Sequence, residues 1–364
     1  MDTATRLNVG VLFGGRSAEH EVSILSARNI IAALDPGRFQ AVAIGITRKG
    51  RWIQQSTQRL LREKGDPRFV QLSNDGPEFS LLPSTRSEDP PVDVVFPVLH
   101  GPHGEDGTVQ GLLELANVPF VGAGVLGSAV GMDKDVMKRL LRDAGIPVAN
   151  FIAIRRHEYR RDPLAVLRRA ESLGFPLFVK PANLGSSVGV TRVLSRAQLP
   201  AALQTAFDYD LKVIVEESIT GREIECAVLG NDVPAASIPG EIVVTRADGF
   251  YSYDAKYLDE QGARLQVPAA LDAHLTREVQ RLSLATFQAL ECSGLARVDF
   301  FLRPDRQLLV NEINTLPGFT AMSMYPKLWA ASGVSPRELV SRLIDLAIER
   351  HEQKRSLRSL CCVR

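Results

Sequence analysis

The stretch LLVNEINTLPGFT, residues 308–320, places an acidic side chain and an amide two positions apart at the end of an apolar run. Side chains alternate between the two faces of a strand, so Glu312 and Asn314 are predicted to share a face. The run ARVDFFL, residues 296–302, precedes it, and the short Arg-Pro-Asp connection predicts an antiparallel hairpin. If about four residues make the turn, Asp299 lies opposite Glu312, at ~5 Å between Cβ atoms.

Three oxygen-bearing side chains, Asp299, Glu312 and Asn314, therefore converge in the predicted hairpin. Carboxylate and amide oxygens are ligands of Mg²⁺, which keeps its remaining positions for water and phosphate. A glutamate that bridges two such ions would explain the spacing. The alternative is a solvent-facing polar row on an edge strand, and the hairpin alone leaves both interpretations open.

Lysine is scarce in this sequence, where nine lysines occur beside thirty-four arginines. Lys134 begins a predicted helix, and Lys180 ends the apolar run LFVK beside the Gly-Ser-rich stretch KPANLGSSVGV, residues 180–190. A lysine ammonium is a compact charge suited to phosphate oxygens. The N–H groups and hydroxyls of Ser186 and Ser187 can surround an anion, although a Gly-Ser turn without function is the alternative.

The first part of the chain predicts an α/β domain with a parallel sheet. LNVGVLFGG, residues 7–15, is an apolar run that ends in two glycines and is followed by a helical pattern. FQAVAIGIT, residues 39–47, and VDVVFPVL, residues 92–99, are further predicted strands. Together they indicate a Rossmann-like sheet wrapped by helices. The polar stretch 48–90 is predicted to be a β-meander or a loop insertion.

Two further units of mixed strands and helices begin near residues 125 and 216, which indicates an α+β second half. Asp133 is the predicted N-cap of a helix that Gly145 closes. The stretch 241–267 is predicted to be a long loop between strands, and a helix ending at residue 350 closes the folded part.

Composition excludes several function classes. The formal net charge is +1, so no overall field indicates nucleic acid or an acidic membrane surface as a partner. The four cysteines show no C-x-x-C spacing, which argues against a zinc site and a disulfide framework. No leader-like or membrane-spanning apolar stretch is recognised, so we expect a cytoplasmic protein.

In this order, the motifs resemble those of ATP-grasp enzymes and, more narrowly, of the D-alanine–D-alanine ligases. The resemblance spans about residues 7 to 326, and the ordered series is highly specific. It is carried by GGRSAEHEVS (14–23), LHGPHGEDGTVQGLLE (99–114), VGMDK (130–134), KPANLGSSVGV (180–190), VEESITGREIE (215–225), YDAKY (253–257) and ARVDFFL with NEINTLPGFT.

The resemblance implies a Rossmann-like domain at residues 1–122, followed by a two-domain ATP-grasp fold with subdomains 123–215 and 216–364. ATP would lie between these subdomains, with two Mg²⁺ ions, or Mn²⁺, on Asp299, Glu312 and Asn314. The residues assigned to ATP by the resemblance are Lys134, Lys180 and Ser187 near the phosphates, Glu216, Glu217 and Ile219 at the adenine hinge, and Glu223 at the ribose.

The resemblance also implies a reaction in which one D-alanine becomes an acyl phosphate and a second D-alanine displaces phosphate. Glu19 would bind the first ammonium, although an acidic first-turn residue can simply complement a helix dipole. His100 would lie near the first substrate, or be structural. The remaining assigned residues are Ser186 and Tyr257, forming a triad with Glu19; Arg297 and Gly318 around the oxyanion; and Lys256, Ser323 and Met324 at the second carboxylate.

Other functions remain alternatives. A D-alanine–D-lactate ligase or another ATP-grasp carboxylate–amine ligase is the nearest, and a nucleotide-binding protein without catalysis would be expected to lack some of the charged residues. A glycosidase with paired carboxylates leaves the lysines unexplained. The resemblance also implies a homodimer, with no nucleic-acid or membrane partner.

Overall fold

The structure is a computed structural model that describes residues 6–62, 71–81, 91–244 and 263–357. Its described strands form three sheets, which follow one another along the chain, and the strand at residues 212–217, predicted to open the third unit, belongs to the second sheet. None of the helices in these ranges combines the length and apolar character that a membrane-crossing segment needs.

The first sheet confirms the predicted parallel core. β1 pairs in parallel with β2 and with β4, and β3 adds to β2 antiparallel at the edge. The described part of 48–90 thus contains one edge strand and a short helix rather than a β-meander. The elements are β1 (Leu7–Gly14), α1 (His20–Ala33), β2 (Phe39–Ile46), β3 (Trp52–Gln55), α2 (Thr57–Arg62), β4 (Val94–Val98) and α3 (Thr108–Leu115).

Two short helices connect the first sheet to the second, namely α4 (Val125–Met132) and α5 (Lys134–Asp143). The predicted cap is confirmed, because the Asp133 carboxylate accepts a hydrogen bond from the Val136 backbone N–H at 3.0 Å. Gly145 has a φ of +71°, as a residue that closes a helix requires. Asp133 therefore fixes where the helix carrying Lys134 begins.

The second sheet is antiparallel, with the strand order β5-β8-β6-β7. Helices α7 and α8 cover one of its faces and enclose a separate hydrophobic cluster around Val179, Val215 and Leu203. The elements are β5 (Phe151–Arg155), α6 (Arg156–Arg161), α7 (Pro163–Glu171), β6 (Leu177–Pro181), β7 (Thr191–Val193), α8 (Leu199–Phe207) and β8 (Lys212–Glu217).

The third sheet is also antiparallel, with the order β12-β11-β9-β13-β14 and with β10 paired to β9. Its last two strands are the predicted hairpin, and α11 extends to Ser356, beyond the predicted end at residue 350. The elements are β9 (Arg222–Gly230), β10 (Ala235–Ala236), β11 (Gly240–Val244), β12 (Ala263–Gln266), α9 (Ala273–Ala289), β13 (Gly294–Leu302), β14 (Leu308–Asn314), α10 (Met324–Ala331) and α11 (Pro336–Ser356).

The prediction of a loop over residues 241–267 was wrong at both ends. β11 and β12 pair antiparallel, from Glu241 opposite Gln266 to Val244 opposite Ala263. The pairing is non-local, which is why the local pattern did not reveal it. The middle of the predicted loop lies outside the described residues.

Hydrophobic clusters cross the predicted domain limits. Val11 and Phe96 of the first sheet share one cluster with Tyr325, Leu328 and Leu343 of the last two helices. Met137 and Leu141 of α5 belong to another, together with residues of the final hairpin. The boundaries at 122 and 215 remain a prediction from the sequence, whereas the packing joins the two ends of the chain.

Arg350 of α11 adds a polar connection between the same regions. Its guanidinium donates hydrogen bonds to the backbone carbonyls of Phe120, at 2.9 Å, and of Gly122, and to Ser293 Oγ at 2.6 Å. It also lies over the Phe120 ring, 4.5 Å from the centroid. Burial lowers the pKa of Arg350 to about 10, which leaves the side chain charged at neutral pH.

We predict that Arg350→Met lowers the free energy of unfolding by about 2–4 kcal/mol, because two partly buried carbonyls lose a charged donor. Urea unfolding followed by circular dichroism measures this. Arg355→Met, an exposed position on the same helix, is the control, and equal losses for the two variants would contradict the role given to Arg350.

Candidate functional site

The hairpin of β13 and β14 has the predicted register. Asp299 lies opposite Glu312, and Arg297 lies opposite Asn314. Asp299 is also the cross-strand neighbour of Glu225 on β9, so three carboxylates form a row across three adjacent strands. A shift in register directly after Asp299 bends the hairpin at this point.

Arg297 is held between two of these carboxylates. Its Nε and Nη2 donate to the two oxygens of Asp299, both at 2.7 Å, and Nε lies 3.0 Å from Glu225 Oε2. Burial opposes the charge of Arg297, but Asp299 and Glu225 outweigh it and raise the pKa of the guanidinium well above its ordinary value. Glu225 was not among the residues predicted from the sequence, although it shares a strand face with the predicted Glu223.

The three predicted metal ligands are adjacent. Asn314 Nδ2 donates to Asp299 Oδ2 at 2.9 Å, and Asp299 faces Glu312 across the hairpin. Within the described residues, no group of three or more His, Cys, Asp or Glu side chains is arranged to hold a metal ion. The predicted set contains two carboxylates and one amide, and these hard oxygen donors fit Mg²⁺ in type.

The two predicted phosphate lysines have different partners, Lys134 at this hairpin and Lys180 on the central sheet. Lys134 Nζ donates to the Leu184 carbonyl at 2.5 Å and lies 3.8 Å from Glu312 Oε2. Lys180 Nζ forms an ion pair with Glu216 Oε1. Burial lowers the pKa of Lys134, and the charge of Glu312 opposes that shift.

A third lysine, which sequence analysis did not select, completes this cluster. Lys138 is 1% exposed, and its Nζ lies 3.2 Å from Glu216 Oε2. Lys138 is one helical turn after Lys134, so both side chains project from the same face of α5. That i, i+4 spacing, together with the scarcity of lysine, was a signal from which it could have been predicted.

Glu216 is placed between these charges. It lies opposite Phe151 on β5 and Phe178 on β6, and its side chain is 2% exposed. Burial alone would raise the pKa of Glu216, but Lys138 and Lys180 outweigh it and hold the pKa at about 2. Glu216 is therefore an anion within a cluster of lysines.

The other predicted nucleotide residues lie beside Glu216 at the connection between two sheets. Glu217 accepts hydrogen bonds from the Asn150 backbone, at 2.9 Å, and from Arg303, at 3.2 Å. Ile219 lies in the irregular segment between β8 and β9, and Glu223 is on β9 opposite Phe301. The segment connects the central sheet to the C-terminal sheet, as a hinge would, and its contact with adenine remains a prediction.

Glu19 and Ser186 meet although they are far apart in sequence. Ser186 Oγ donates to Glu19 Oε1 at 2.5 Å, and Glu19 is 9% exposed. Ser186 and Ser187 have φ values of 51° and 58°, a left-handed conformation that is uncommon for residues other than glycine. This contact links the first domain to the serine loop, and the predicted third member, Tyr257, lies outside the described residues, as does Lys256.

The turn after β14 is held by the first domain. The Phe319 N–H donates to Ser26 Oγ at 3.1 Å, and the Phe319 carbonyl accepts from Asn29 at 2.8 Å, both on α1. His100 Nδ1 lies 3.1 Å from the Leu316 carbonyl oxygen. Burial lowers the pKa of His100, which favours its neutral form.

Gly318 and Ser323 lie close together in this turn. A Cβ at Gly318 would come within 2.7 Å of Ser323 Oγ, so a larger residue there would require the Ser323 side chain to move. Ser323 Oγ accepts a hydrogen bond from the Thr320 N–H at 2.9 Å and immediately precedes Met324, the first residue of α10. Gly318, predicted at the oxyanion, is therefore a neighbour of Ser323, predicted at the second carboxylate.

Glu105 is a further acidic group that sequence analysis did not select. Its Oε2 accepts a hydrogen bond from the Gly101 N–H at 2.6 Å. Burial, and then the charge of Glu19, raise its pKa to about 8. The motif G-E-D-G, residues 104–107, carries it, but only the fold brings Glu105 near Glu19.

Comparison with known proteins identifies the family. The model described as D-ala D-ala ligase N-terminus matches residues 8–123, and D-ala D-ala ligase C-terminus matches residues 140–345. The chain belongs to the D-alanine–D-alanine ligase family. It is 52% identical to D-alanine--D-alanine ligase A of Chromobacterium violaceum, over 98% of this chain and 99% of that protein.

Further similarities agree with this assignment. D-alanine--D-alanine ligase A of Escherichia coli K12 is 49% identical over 97% of this chain and 99% of its own length. The solved structure of the D-alanine-D-alanine ligase from Coxiella burnetii covers 97% of both chains with a TM-score of 0.82 and 39% identity. The VanG D-Ala:D-Ser ligase from Enterococcus faecalis also has a TM-score of 0.82, at 35% identity, and covers 94% of this chain and 100% of its own.

The protein is thus an enzyme with the ATP-grasp fold that uses ATP to join D-alanine to D-alanine. This confirms the resemblance inferred from the sequence motifs and favours it over the D-lactate alternative. The similarity to a D-Ala:D-Ser ligase shows that the fold accommodates more than one acceptor.

The raised pKa of Glu105 predicts a dependence of stability on pH. Folding raises this pKa from 4.5 to about 8, so the folded chain binds the proton more tightly than the unfolded chain. The free energy of unfolding should therefore fall as pH rises from 4.5 to 8, with a contribution of up to about 1.4 kcal/mol per pH unit.

Glu105→Gln, in the presence of EDTA and without nucleotide, should flatten this dependence, because a neutral amide can still accept the Gly101 hydrogen bond. Urea unfolding between pH 5.5 and 8.5 measures the slope. Glu352→Gln replaces an exposed carboxylate on α11 and should keep the parent slope. An unchanged slope in Glu105→Gln would show that Glu105 does not carry the effect.

Proposed function

We propose that the cleft between the hairpin β13–β14 and the lysines of α5 and β6 binds ATP with two Mg²⁺ ions and catalyses phosphoryl transfer to D-alanine. The observation that carries this proposal is the opposition of Asp299 and Glu312 in one hairpin, with Lys134 only 3.8 Å from Glu312. Hard oxygen donors and lysine ammoniums facing one another are the groups that a metal-bound triphosphate requires.

Asp299, Glu312 and Asn314 would hold the Mg²⁺ ions, and Mn²⁺ has the same ligand preference. When bound, these ions neutralise charge on the phosphate oxygens. Lys134 and Lys180 would exchange their present partners, the Leu184 carbonyl and Glu216, for phosphate oxygens. Ser187 in the adjoining loop would donate to the same phosphates.

The nucleoside would lie where the two antiparallel sheets meet. Glu216, Glu217 and Ile219 form the segment that connects them, and their placement supports adenine binding there. Glu223 on β9 would accept hydrogen bonds from the ribose hydroxyls. These roles come from the resemblance and agree with the position of the segment beside the lysine cluster.

In the first step, the carboxylate of one D-alanine attacks the γ-phosphate of ATP, giving D-alanyl phosphate and ADP. Glu19 would bind the ammonium of this D-alanine, with Ser186 holding the carboxylate of Glu19 in position and His100 lying nearby. Arg297, which pairs with the predicted metal ligand Asp299, would face the developing phosphate charge. Positioning and fixed charge supply most of the rate in such transfers.

In the second step, the amine of another D-alanine attacks the carbonyl carbon of D-alanyl phosphate, and phosphate leaves. The oxyanion that forms would be stabilised by Arg297 and the backbone N–H of Gly318. Lys256, Ser323 and the Met324 backbone would bind the carboxylate of the second D-alanine. Tyr257 would complete the triad with Glu19 and Ser186 in a lid that excludes water from the acyl phosphate.

We also propose a cytoplasmic homodimer. The family resemblance implies the dimer, and the exposed apolar side chains Leu115 of α3 and Val125 and Leu126 of α4 support an interface near these helices. The cytoplasmic location is inferred from the use of ATP, and the free thiols of Cys226 and Cys292 agree with a reducing compartment. Light scattering would reject the dimer if it gave the monomer mass.

The proposed chemistry predicts ADP release that requires D-alanine, together with formation of D-alanyl-D-alanine. A coupled assay for ADP and mass spectrometry of the product test this prediction. D-lactate and D-serine, offered as second substrates across a range of pH, test the acceptor. Turnover with L-amino acids alone would reject the proposal. Faster formation of D-alanyl-D-lactate than of D-alanyl-D-alanine would also reject it.

Glu312→Gln keeps the shape of the side chain but removes a charged metal ligand, so we predict that it lowers kcat at least about 100-fold at saturating Mg²⁺. Glu278→Gln, on the surface of α9, should match the parent. If Glu312→Gln turned over at the parent rate in saturating Mg²⁺, Glu312 would not be a metal ligand.

A further inference from the structure

Lys138 stands out because it is a charged side chain that is almost completely buried. Its side chain is 1% exposed, and its Nζ lies 3.2 Å from Glu216 Oε2 and 6.0 Å from the centroid of the Phe151 ring. Burying an ammonium is unfavourable unless an anion compensates it. Glu216 is that anion, and it forms ion pairs through both of its oxygens.

The two oxygens of Glu216 serve different lysines. Oε1 pairs with Lys180, which is 13% exposed and borders the cleft, whereas Oε2 pairs with Lys138 in the interior. Lys138 therefore has almost no exposed surface at which it could meet a nucleotide phosphate, whereas Lys180 is partly exposed. The two lysines thus pair with the same carboxylate, but one is buried and the other is partly exposed.

The count of charges shows what Lys138 adds. Without it, Glu216 would be paired with Lys180 alone, and their charges would cancel. With Lys138 included, Glu216 has two lysine partners, so one positive charge is left over at this carboxylate. When a triphosphate draws Lys180 away, Glu216 would be left buried without a cation unless Lys138 remained.

We propose that Lys138 is a positioning residue for nucleotide binding: it neutralises Glu216 so that Lys180 is released to bind a nucleotide phosphate. The inference rests on the proposed function, because it assumes that Lys180 contacts ATP. It assigns to Lys138 no contact with nucleotide. The side chain acts through Glu216, and its removal leaves Lys180 as the sole cation for that carboxylate.

Lys138→Met keeps the length and the apolar stem and removes the charge. With Lys180 retained by Glu216, the Kd for MgADP should rise roughly 30-fold. The KM for ATP should rise similarly, while kcat at saturating ATP stays within about threefold of the parent, because Lys138 does not touch the reacting atoms. Calorimetric titration of the full chain with MgADP measures the Kd, and the coupled assay measures KM and kcat.

Glu216→Gln supplies the decisive comparison, since it removes the charge that Lys138 is proposed to neutralise. The effect of Lys138→Met on the Kd for MgADP should shrink to within about threefold when Glu216→Gln is already present. If Lys138 has a purely structural role, Lys138→Met should lower MgADP affinity by the same factor in the parent and in Glu216→Gln. This cycle compares four proteins, and thermal unfolding without nucleotide establishes that each is folded.

Arg142→Met is the matched control. Arg142 is one turn further along α5, is exposed, and lies over the same Phe151 ring at 5.9 Å, but it is not among the cations paired with Glu216. Its Kd for MgADP should equal that of the parent. Weaker MgADP binding by Arg142→Met would indicate a general effect of positive charge on this helix and would overturn the inference.

The outcomes separate the inference from the proposed function. If the parent protein does not bind MgADP, the nucleotide site itself is wrong. If the parent binds and Lys138→Met binds equally well, Lys138 has no positioning role. If Lys138→Met does not fold, Lys138→Gln in the Glu216→Gln background tests the same charge pairing, and a folded protein with parent-like MgADP affinity would support the inference.

Discussion

Burial of charge is the constraint on which this active-site region depends. Glu216 is 2% exposed and Lys138 is 1% exposed, and burying either charge would be strongly unfavourable without a compensating partner. Their pairing requires α5 to lie against the central sheet at one position, because Lys138 projects from the helix and Glu216 from β8. The same position places Lys134 near Glu312 of the C-terminal hairpin. The ion pair between Lys138 and Glu216 links α5 to β8, and the apolar packing of Met137 and Leu141 links the same helix to the final hairpin.

Local patterns predicted a large part of the fold. The parallel first sheet, the cap at Asp133, and the register that sets Asp299 opposite Glu312 are all confirmed. Each depends on a short stretch in which alternation, a capping residue or a turn determines the geometry. The motifs identified the family for a related reason, since their order along the chain is a property of the sequence. The contact of Ser186 with Glu19 was implied only by the resemblance, and the structure contains it.

Other features could not be predicted because they depend on which distant residues become neighbours. Glu225 reads as an ordinary strand residue until β9 aligns beside β13, where it binds Arg297. The antiparallel pairing of β11 with β12 joins segments separated by a long insertion. Glu105 has a raised pKa only because the fold buries it near Glu19. In each case the sequence shows which residue is present, whereas the interactions of that residue depend on partners that are remote in sequence.

The hydrophobic cluster shared by the first sheet and the last two helices affects how the chain can fold during translation. Residues 336–356 are made after the strands of all three sheets, yet Leu343 and Ile344 of that helix belong to the cluster that contains Val11 and Phe96. During translation, the nascent amino-terminal half leaves the ribosome with an apolar surface that lacks its covering. The first sheet can complete this packing only after α11 has been synthesised, so its apolar face stays exposed during the intervening part of translation.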